Sequence, residues 1–101
     1  MILYNVTVNI DDTIEKDWLN WMINKHIPDV LETGLFKGHK MYKLMTRQSD
    51  ETGITYSIQY FLRNMDDYNL YQTEFAPTLQ QEYNERYSGK FVAFRSLLEE
   101  V

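Results

Sequence analysis

The chain has 101 residues, which suits one domain with one hydrophobic core, and we assign residues 1 to 101 to a single domain. Fifteen acidic against ten basic side chains give a formal net charge of −5, and no cluster of lysine and arginine is dense enough to follow a phosphate backbone, so we expect no nucleic-acid partner. The chain contains no cysteine, which excludes disulfides and thiolate metal sites. No apolar run reaches membrane-spanning length. We therefore expect a cytoplasmic protein with no membrane partner.

The first predicted elements are a strand and a broken helix. Apolar side chains alternate over residues 2 to 10, which predicts a strand with one buried face. Asp12 followed by Glu15 resembles a capping box and predicts the start of a helix. Pro28 should break or restart that helix, and Gly34 suits its end. Three large side chains recur at every fourth helical position and are expected to face the core: Trp18, Met22 and His26.

A hairpin follows the first helix. A long strand is predicted from residue 35 to about residue 47. Residues 48 to 53 have the composition of a turn. Residues 54 to 62 alternate again and predict the second strand of the hairpin.

The second half of the chain has a helix and a last strand. Asn64 is predicted to cap the helix, Pro77 to interrupt it and Gly89 to end it. Residues 90 to 98 then supply the fourth strand. The inner face of the helix before the proline is predicted to carry Met65, Tyr68, Tyr71 or Gln72, and Phe75.

The two halves repeat one pattern, with KHIPDV in the first and EFAPTL in the second. Phe75 takes the place of His26 in this repeat. The order βαββαβ predicts an α+β protein of the ferredoxin-like class, with a four-stranded antiparallel sheet and both helices on one face.

The last strand suggests how the protein assembles. Apolar side chains occur on both sides of it, whereas the helices can cover only one face of the sheet. We therefore expect a homodimer through the free sheet face and the C-terminal strand, with a solvated monomer as the alternative. Arg95 in this strand is expected to await an anion or to form a salt bridge across the dimer interface, and a dimer favours the salt bridge.

Several segments resemble a known family. YNVTVNID, HIPDVLETGLF, TYSIQY, YQTEFAPTLQ and ERYSGKFVAFRSLLE are similar, nearly from end to end, to segments of a small bacterial family of unknown function. That family lies in the dimeric α/β-barrel superfamily, with antibiotic-biosynthesis monooxygenases, EthD-type and muconolactone-isomerase-type proteins. The resemblance implies a homodimer with one small pocket per subunit between the sheet and its helices. Some members use this pocket for cofactor-independent oxidation or isomerisation, and others for haem. The H-x-P pattern followed by glycine resembles the EthD type, which implies His26 as a pocket residue.

His26 has two interpretations. As a catalytic residue it would face the tyrosines of the sheet and exchange a proton with a phenolic or carbonyl substrate. As a packing residue it would satisfy a carbonyl freed by Pro28 and otherwise fill space as Phe75 does, and the repeat favours this second role. The tyrosines likewise could form core or line a cavity. The predicted ligand-binding residues are Tyr4, Trp18, Met22, His26, Tyr56 and Tyr60.

Two functions from different classes follow. The first is a small dimeric module that binds an apolar or aromatic metabolite between sheet and helices. The second is a cofactor-independent monooxygenase or isomerase with His26 as its acid or base, so the sequence leaves open whether the protein is an enzyme. We predict no metal site and no cofactor, because the chain has no zinc motif and no nucleotide-binding loop, and a haem ligated by His26 has no attachment motif to support it.

Overall fold

The elements are known from a computed structural model, which describes residues 1–46 and 51–101. In chain order they are β1 (Ile2–Ile10), a 3-10 turn (Asp12–Ile14), α1 (Glu15–Trp21), a π-helical turn (Met22–His26), α2 (Ile27–Glu32), β2 (Phe36–Lys43), β3 (Ile54–Leu62), α3 (Met65–Glu74), α4 (Ala76–Tyr87) and β4 (Phe91–Glu99). In the described part of the chain, no helix is long and apolar enough to cross a membrane.

The four strands form one antiparallel sheet in the order β2-β3-β1-β4. The central strand β1 pairs with β3 and with β4, so that Tyr4 lies opposite Tyr60 on one side and opposite Leu97 on the other. Sequence-distant strands are therefore neighbours, as the split βαβ arrangement requires. The predicted ferredoxin-like α+β fold is confirmed.

The hydrophobic core lies between this sheet and the helices. Alternate side chains of β1 and β3 face the helices, which is why a period of two in the sequence marks the buried face. The largest fully buried side chains are Trp18, Ile10, Ile58, Leu62, Val8 and Val30.

The first helix begins and breaks differently from the simplest expectation. Asp11, and not the predicted Asp12, is the N-cap: its Oδ1 accepts a hydrogen bond of 2.9 Å from the backbone N–H of Thr13, and a 3-10 turn precedes α1. Pro28 lies in the first turn of α2, as predicted. Gly34 ends the segment with φ of 79°, a left-handed conformation that favours glycine.

The hairpin strands are paired as predicted, but β2 is shorter than expected. It ends at Lys43 and has a bulge between Phe36 and Gly38. The predicted strand end near residue 47 and part of the predicted turn, residues 48 to 50, lie outside the described residues.

The second helix confirms its predicted cap and corrects its predicted inner face. Asn64 Oδ1 accepts a hydrogen bond of 2.9 Å from the N–H of Asp67. Met65 is 42 % exposed and does not join the core, whereas Tyr71 is buried. The chain leaves helical geometry at Phe75, with φ of −121°, two residues before Pro77. The last strand spans Phe91–Glu99, one residue later than predicted.

The sheet face away from the helices carries both apolar and polar side chains. Val92 and Phe94 of β4 are 73 % and 63 % exposed on this open face. Beside them, Ser57 Oγ donates a hydrogen bond of 2.6 Å to Asn5 Oδ1, and Asn5 Nδ2 donates one of 3.0 Å to Thr7 Oγ1. The polar groups of the open face thus bond to one another along the strands.

Candidate ligand-binding site

A small cavity lies between the sheet and the helices, next to the π-helical turn. Its volume is about 30 Å³, which is room for one or two water molecules. Four of the six predicted ligand-binding residues line it: Tyr4, Met22, His26 and Tyr60. Other polar side chains around it are Tyr71, Gln80, Tyr83 and Arg95. We call this space the tyrosine cavity.

The other two predicted residues, Trp18 and Tyr56, lie away from the tyrosine cavity. Their rings pack against each other with centroids 4.8 Å apart. The hydroxyl of Tyr56 donates a hydrogen bond of 2.7 Å to Glu15 Oε2, and Trp18 Nε1 donates one of 2.6 Å to the hydroxyl of Tyr83. Both polar atoms are therefore paired within the protein, as expected of core aromatics.

The π-helical turn determines where the His26 ring points. In a regular α-helix, residues i and i+5 are about 140° apart around the helix axis. The i to i+5 hydrogen bonds of a π-helical turn place such a pair of residues nearly above one another. The N–H of Ile27 bonds to the carbonyl of Met22 in this way. As a result Trp21 and His26 share one face and stack, with ring centroids 5.0 Å apart and planes 24° apart.

The His26 ring packs but does not use its buried nitrogen. Tyr83 meets the ring edge to face at 5.3 Å. Nδ1 is buried and has no hydrogen-bond partner among residues 1–46 and 51–101. The expected bond to a carbonyl freed by Pro28 is absent from the same residues. A buried nitrogen of this kind is a hydrogen-bonding group that the protein leaves unused, on a ring that lines the cavity.

Burial keeps the imidazole of His26 neutral. It lowers the pKa of His26 from 6.5 to about 4, with Asp29 opposing the effect and the charges of Arg95 and Lys25 adding to it. At neutral pH one ring nitrogen therefore carries no hydrogen and accepts hydrogen bonds. The other ring nitrogen carries the hydrogen, so the neutral ring offers one hydrogen-bond donor and one acceptor.

The tyrosine hydroxyls around the cavity are held in their protonated form. Burial raises the pKa of Tyr4, Tyr60 and Tyr71 above the usual value of 10.0 and raises the pKa of Tyr83 to about 12. Three rings make a continuous aromatic wall, since Tyr4 lies 6.0 Å from Tyr60 and 5.9 Å from Tyr71 between centroids. The wall combines apolar ring faces with hydroxyl groups that can donate.

Sequence reasoning missed two aromatic residues of this region. Trp21 is 8 % exposed and stacks on His26, but a period of 3.6 places it beside the buried stripe instead of on it. The π-helical turn brings Trp21 onto the His26 ring, and the proline that follows is the single feature of the sequence that indicates this turn. Tyr83 lies in α4 and contacts the His26 ring, but its position in the sequence does not mark it as a neighbour of His26.

The described residues hold no group of three or more His, Asp or Glu side chains placed to bind a metal ion. The cavity wall is made of aromatic and aliphatic side chains, with one neutral imidazole, one amide and one guanidinium. Such a wall suits an organic molecule better than a metal ion.

Solved structures with the same fold are numerous and distant in sequence. An EthD family protein from Bacillus halodurans superposes with a TM-score of 0.68 at 10 % identity, covering 100 % of both chains. A dimeric ferredoxin-like protein from an uncultured marine organism gives 0.67 at 12 % identity, covering 99 % of this chain and 97 % of that one. SnoaB from Streptomyces nogalater, a cofactor-independent oxygenase, gives 0.63 at 10 % identity, covering 99 % and 92 %.

These likenesses establish the fold, because identities this low carry no information on activity. No curated protein matches the sequence. The predicted resemblance to a family of unknown function is confirmed over the whole length. The chain belongs to the family described as Domain of unknown function (DUF4286), which matches residues 1–101.

Proposed function

We propose that the protein is a homodimeric module that binds a small aromatic or apolar metabolite in the tyrosine cavity. The observation that carries this proposal is the buried Nδ1 of His26, which has no partner among the described residues and lies in a wall of tyrosine rings. A ligand that presents a hydroxyl or N–H group would pair this nitrogen while its apolar part contacts the rings.

Entry of such a ligand requires side chains at the cavity to move. The space of about 30 Å³ is smaller than one aromatic ring. Gln80 is half-buried and Arg95 is exposed, so both can rotate without unpacking the core, and unbranched Met22 can adopt other rotamers. The ligand therefore occupies a space that it opens itself.

The surface of the open face supports the proposed assembly. The exposed Val92, Phe94 and Leu98 of β4 supply apolar area for a partner. The hydrogen bonds that join Ser57, Asn5 and Thr7 would leave these polar groups paired when a second sheet covers them. A second copy of the chain is the proposed occupant, and the dimeric ferredoxin-like protein of the same fold supports that choice.

Catalysis by His26 is the second candidate, favoured by the likeness in fold to a cofactor-independent oxygenase. An efficient general base has a pKa near the working pH, whereas burial lowers the pKa of His26 to about 4. The imidazole is thus a weak base in the ligand-free protein, and binding is the better supported function.

Native mass spectrometry of the purified protein, repeated under denaturing conditions, tests the proposal. We expect a dimer, and an added small mass that disappears on denaturation when the cellular ligand is retained. A monomer would refute the proposed assembly. If no added mass is seen, a titration with phenol followed by amide NMR tests whether the cavity binds a ligand. The signals of cavity residues should shift, and unchanged signals would refute binding there.

His26→Phe separates the two candidate functions, and His39→Phe, at the exposed histidine of β2, is its matched control. A binding role predicts weaker binding of a hydroxyl-bearing ligand with no turnover in either protein. A catalytic role predicts a measurable reaction in the wild type that only the His26 variant loses.

A further inference from the structure

Arg95 places a positive charge at the edge of the tyrosine cavity. In the β1–β4 pairing Arg95 lies opposite Val6, so its side chain is on the helix side of the sheet. It lines the cavity together with Tyr4, Tyr71 and His26. Its charge favours the ionised form of Tyr4 and Tyr71 against the effect of burial, which places the guanidinium within electrostatic reach of both hydroxyls.

Arg95 differs from the other arginines of the described residues in having no acidic partner. Arg63 Nε lies 3.4 Å from Asp67 Oδ2, and Arg86 Nη2 lies 3.4 Å from Asp17 Oδ1. Within residues 1–46 and 51–101, the ion pairs closer than 4.0 Å include none to Arg95. The guanidinium interacts with the hydroxyl of Tyr4 but has no acid beside it in the described part of the chain. In a chain of net charge −5, this leaves a position for an external anion.

The proposed dimer does not remove this site. A sheet-to-sheet contact would cover the open face, which carries Val92 and Phe94, whereas Arg95 alternates to the opposite face beside Val6. An interface salt bridge, which the sequence favoured for Arg95, would have to form on the other side of the sheet. The anion that pairs with Arg95 is therefore better sought in the cavity.

We propose that the tyrosine cavity takes a small aromatic carboxylate, whose carboxylate pairs with Arg95 and whose ring lies among the tyrosine rings. This inference rests on the proposed binding function and names its ligand class. The orientation follows from charge, because the guanidinium of Arg95 pairs with a carboxylate in a two-pronged geometry, while the neutral ring of His26 has no charge to offer it. A hydroxyl at the far end of the ring, which can both donate and accept, would instead form a hydrogen bond with His26.

Two probes of the same shape test the charge. 4-Hydroxybenzoate carries the carboxylate and the hydroxyl, and 4-hydroxybenzamide is its neutral counterpart. Binding of each is followed by amide NMR titration of the intact protein, in wild type, Arg95→Gln and the control Arg63→Gln, which removes an exposed, ion-paired arginine away from the cavity.

We expect 4-hydroxybenzoate to bind wild type and Arg63→Gln equally and to bind Arg95→Gln at least about tenfold more weakly, the effect of losing one charge-assisted pair. The amide should bind all three proteins alike and more weakly than the acid binds wild type. If acid and amide bind equally and Arg95→Gln changes neither, the inference is wrong and the binding function stands. If neither probe shifts cavity signals at about 10 mM, an affinity below about 3 kcal/mol, both proposals fail.

Discussion

His26→Phe should make the stability of the protein less sensitive to acid. The pKa of His26 is about 4 in the folded chain and 6.5 is its ordinary value. Between these two values the unfolded chain binds a proton that the folded chain does not bind, so the free energy of unfolding falls as the pH falls. Phenylalanine cannot bind the proton, and the variant loses this contribution.

The size of the effect follows from the same two values. One pKa unit corresponds to about 1.4 kcal/mol, so the interval from 6.5 to about 4 is worth about 3 kcal/mol in full. Between pH 7 and pH 4.5 about 2 kcal/mol of it is expressed, because titration in the unfolded chain is then nearly complete. Interaction with Tyr56 and Thr13 also lowers the pKa of Glu15 and Asp11, but these acids are present in both proteins and cancel in the comparison.

Urea denaturation followed by far-ultraviolet circular dichroism, at fixed protein concentration and at pH 7 and pH 4.5, measures the difference. Wild type and the control His39→Phe should lose about 2 kcal/mol more than His26→Phe over this interval. An equal loss in wild type and His26→Phe would refute the reasoning, since it would mean that the imidazole is already solvated and titrates alike in the folded and the unfolded chain.

Three further substitutions test the fold and the assembly. Gly53→Ala places a Cβ 2.5 Å from a backbone oxygen of β1, whereas the Cβ of Gly89→Ala, at the same φ of 76°, meets nothing within 4 Å. By thermal denaturation, we expect Gly89→Ala to lower the free energy of unfolding by about 1 kcal/mol and Gly53→Ala to lower it clearly more. Asn64→Ala removes a helix cap and should cost about 1 kcal/mol, read from the same transition. Phe94→Asp should yield monomers in sedimentation velocity, while Leu70→Asp on exposed α3 should leave the dimer intact, and a dimeric Phe94 variant would exclude the open face as the interface.

The fold could be predicted from the sequence because each helix and strand has its own local sequence signal. The period of two in β1 and β3, the cap at Asn64 and the glycines after the helices are features that short segments determine by themselves. The start of the first helix was missed by one residue because Asp11 and Asp12 are both good caps, and only the backbone decides which side chain reaches an N–H.

The candidate site was less predictable because it depends on one change of helical pitch. Trp18 and His26 fall on one stripe at 3.6 residues per turn, which predicts a shared pocket. The π-helical turn at Met22–His26 shifts the register, so His26 joins Trp21 at one end of the wall while Trp18 stays on Tyr56. Arg95 was predicted to form a salt bridge across the dimer interface, whereas its pairing with Val6 puts it on the helix face of the sheet. That no acid lies beside it among the described residues is a fact of the three-dimensional structure that the sequence does not reveal.

The internal repeat shows why a histidine at this place needs an explanation. Both halves carry an aromatic ring two residues before a proline, and each proline lacks a backbone N–H for the helix. The chain accommodates this by a π-helical turn at His26 and by a break in the helix at Phe75. Phenylalanine packs at the second site without any buried polar atom. At the first site, a nitrogen without a partner among the described residues costs about 1–3 kcal/mol in the ligand-free protein, and replacement by an apolar ring would avoid that cost. At pH 7, therefore, His26→Phe should be at least as stable as wild type in the urea experiment, and a ligand that forms a hydrogen bond with Nδ1 would remove the cost that wild type carries.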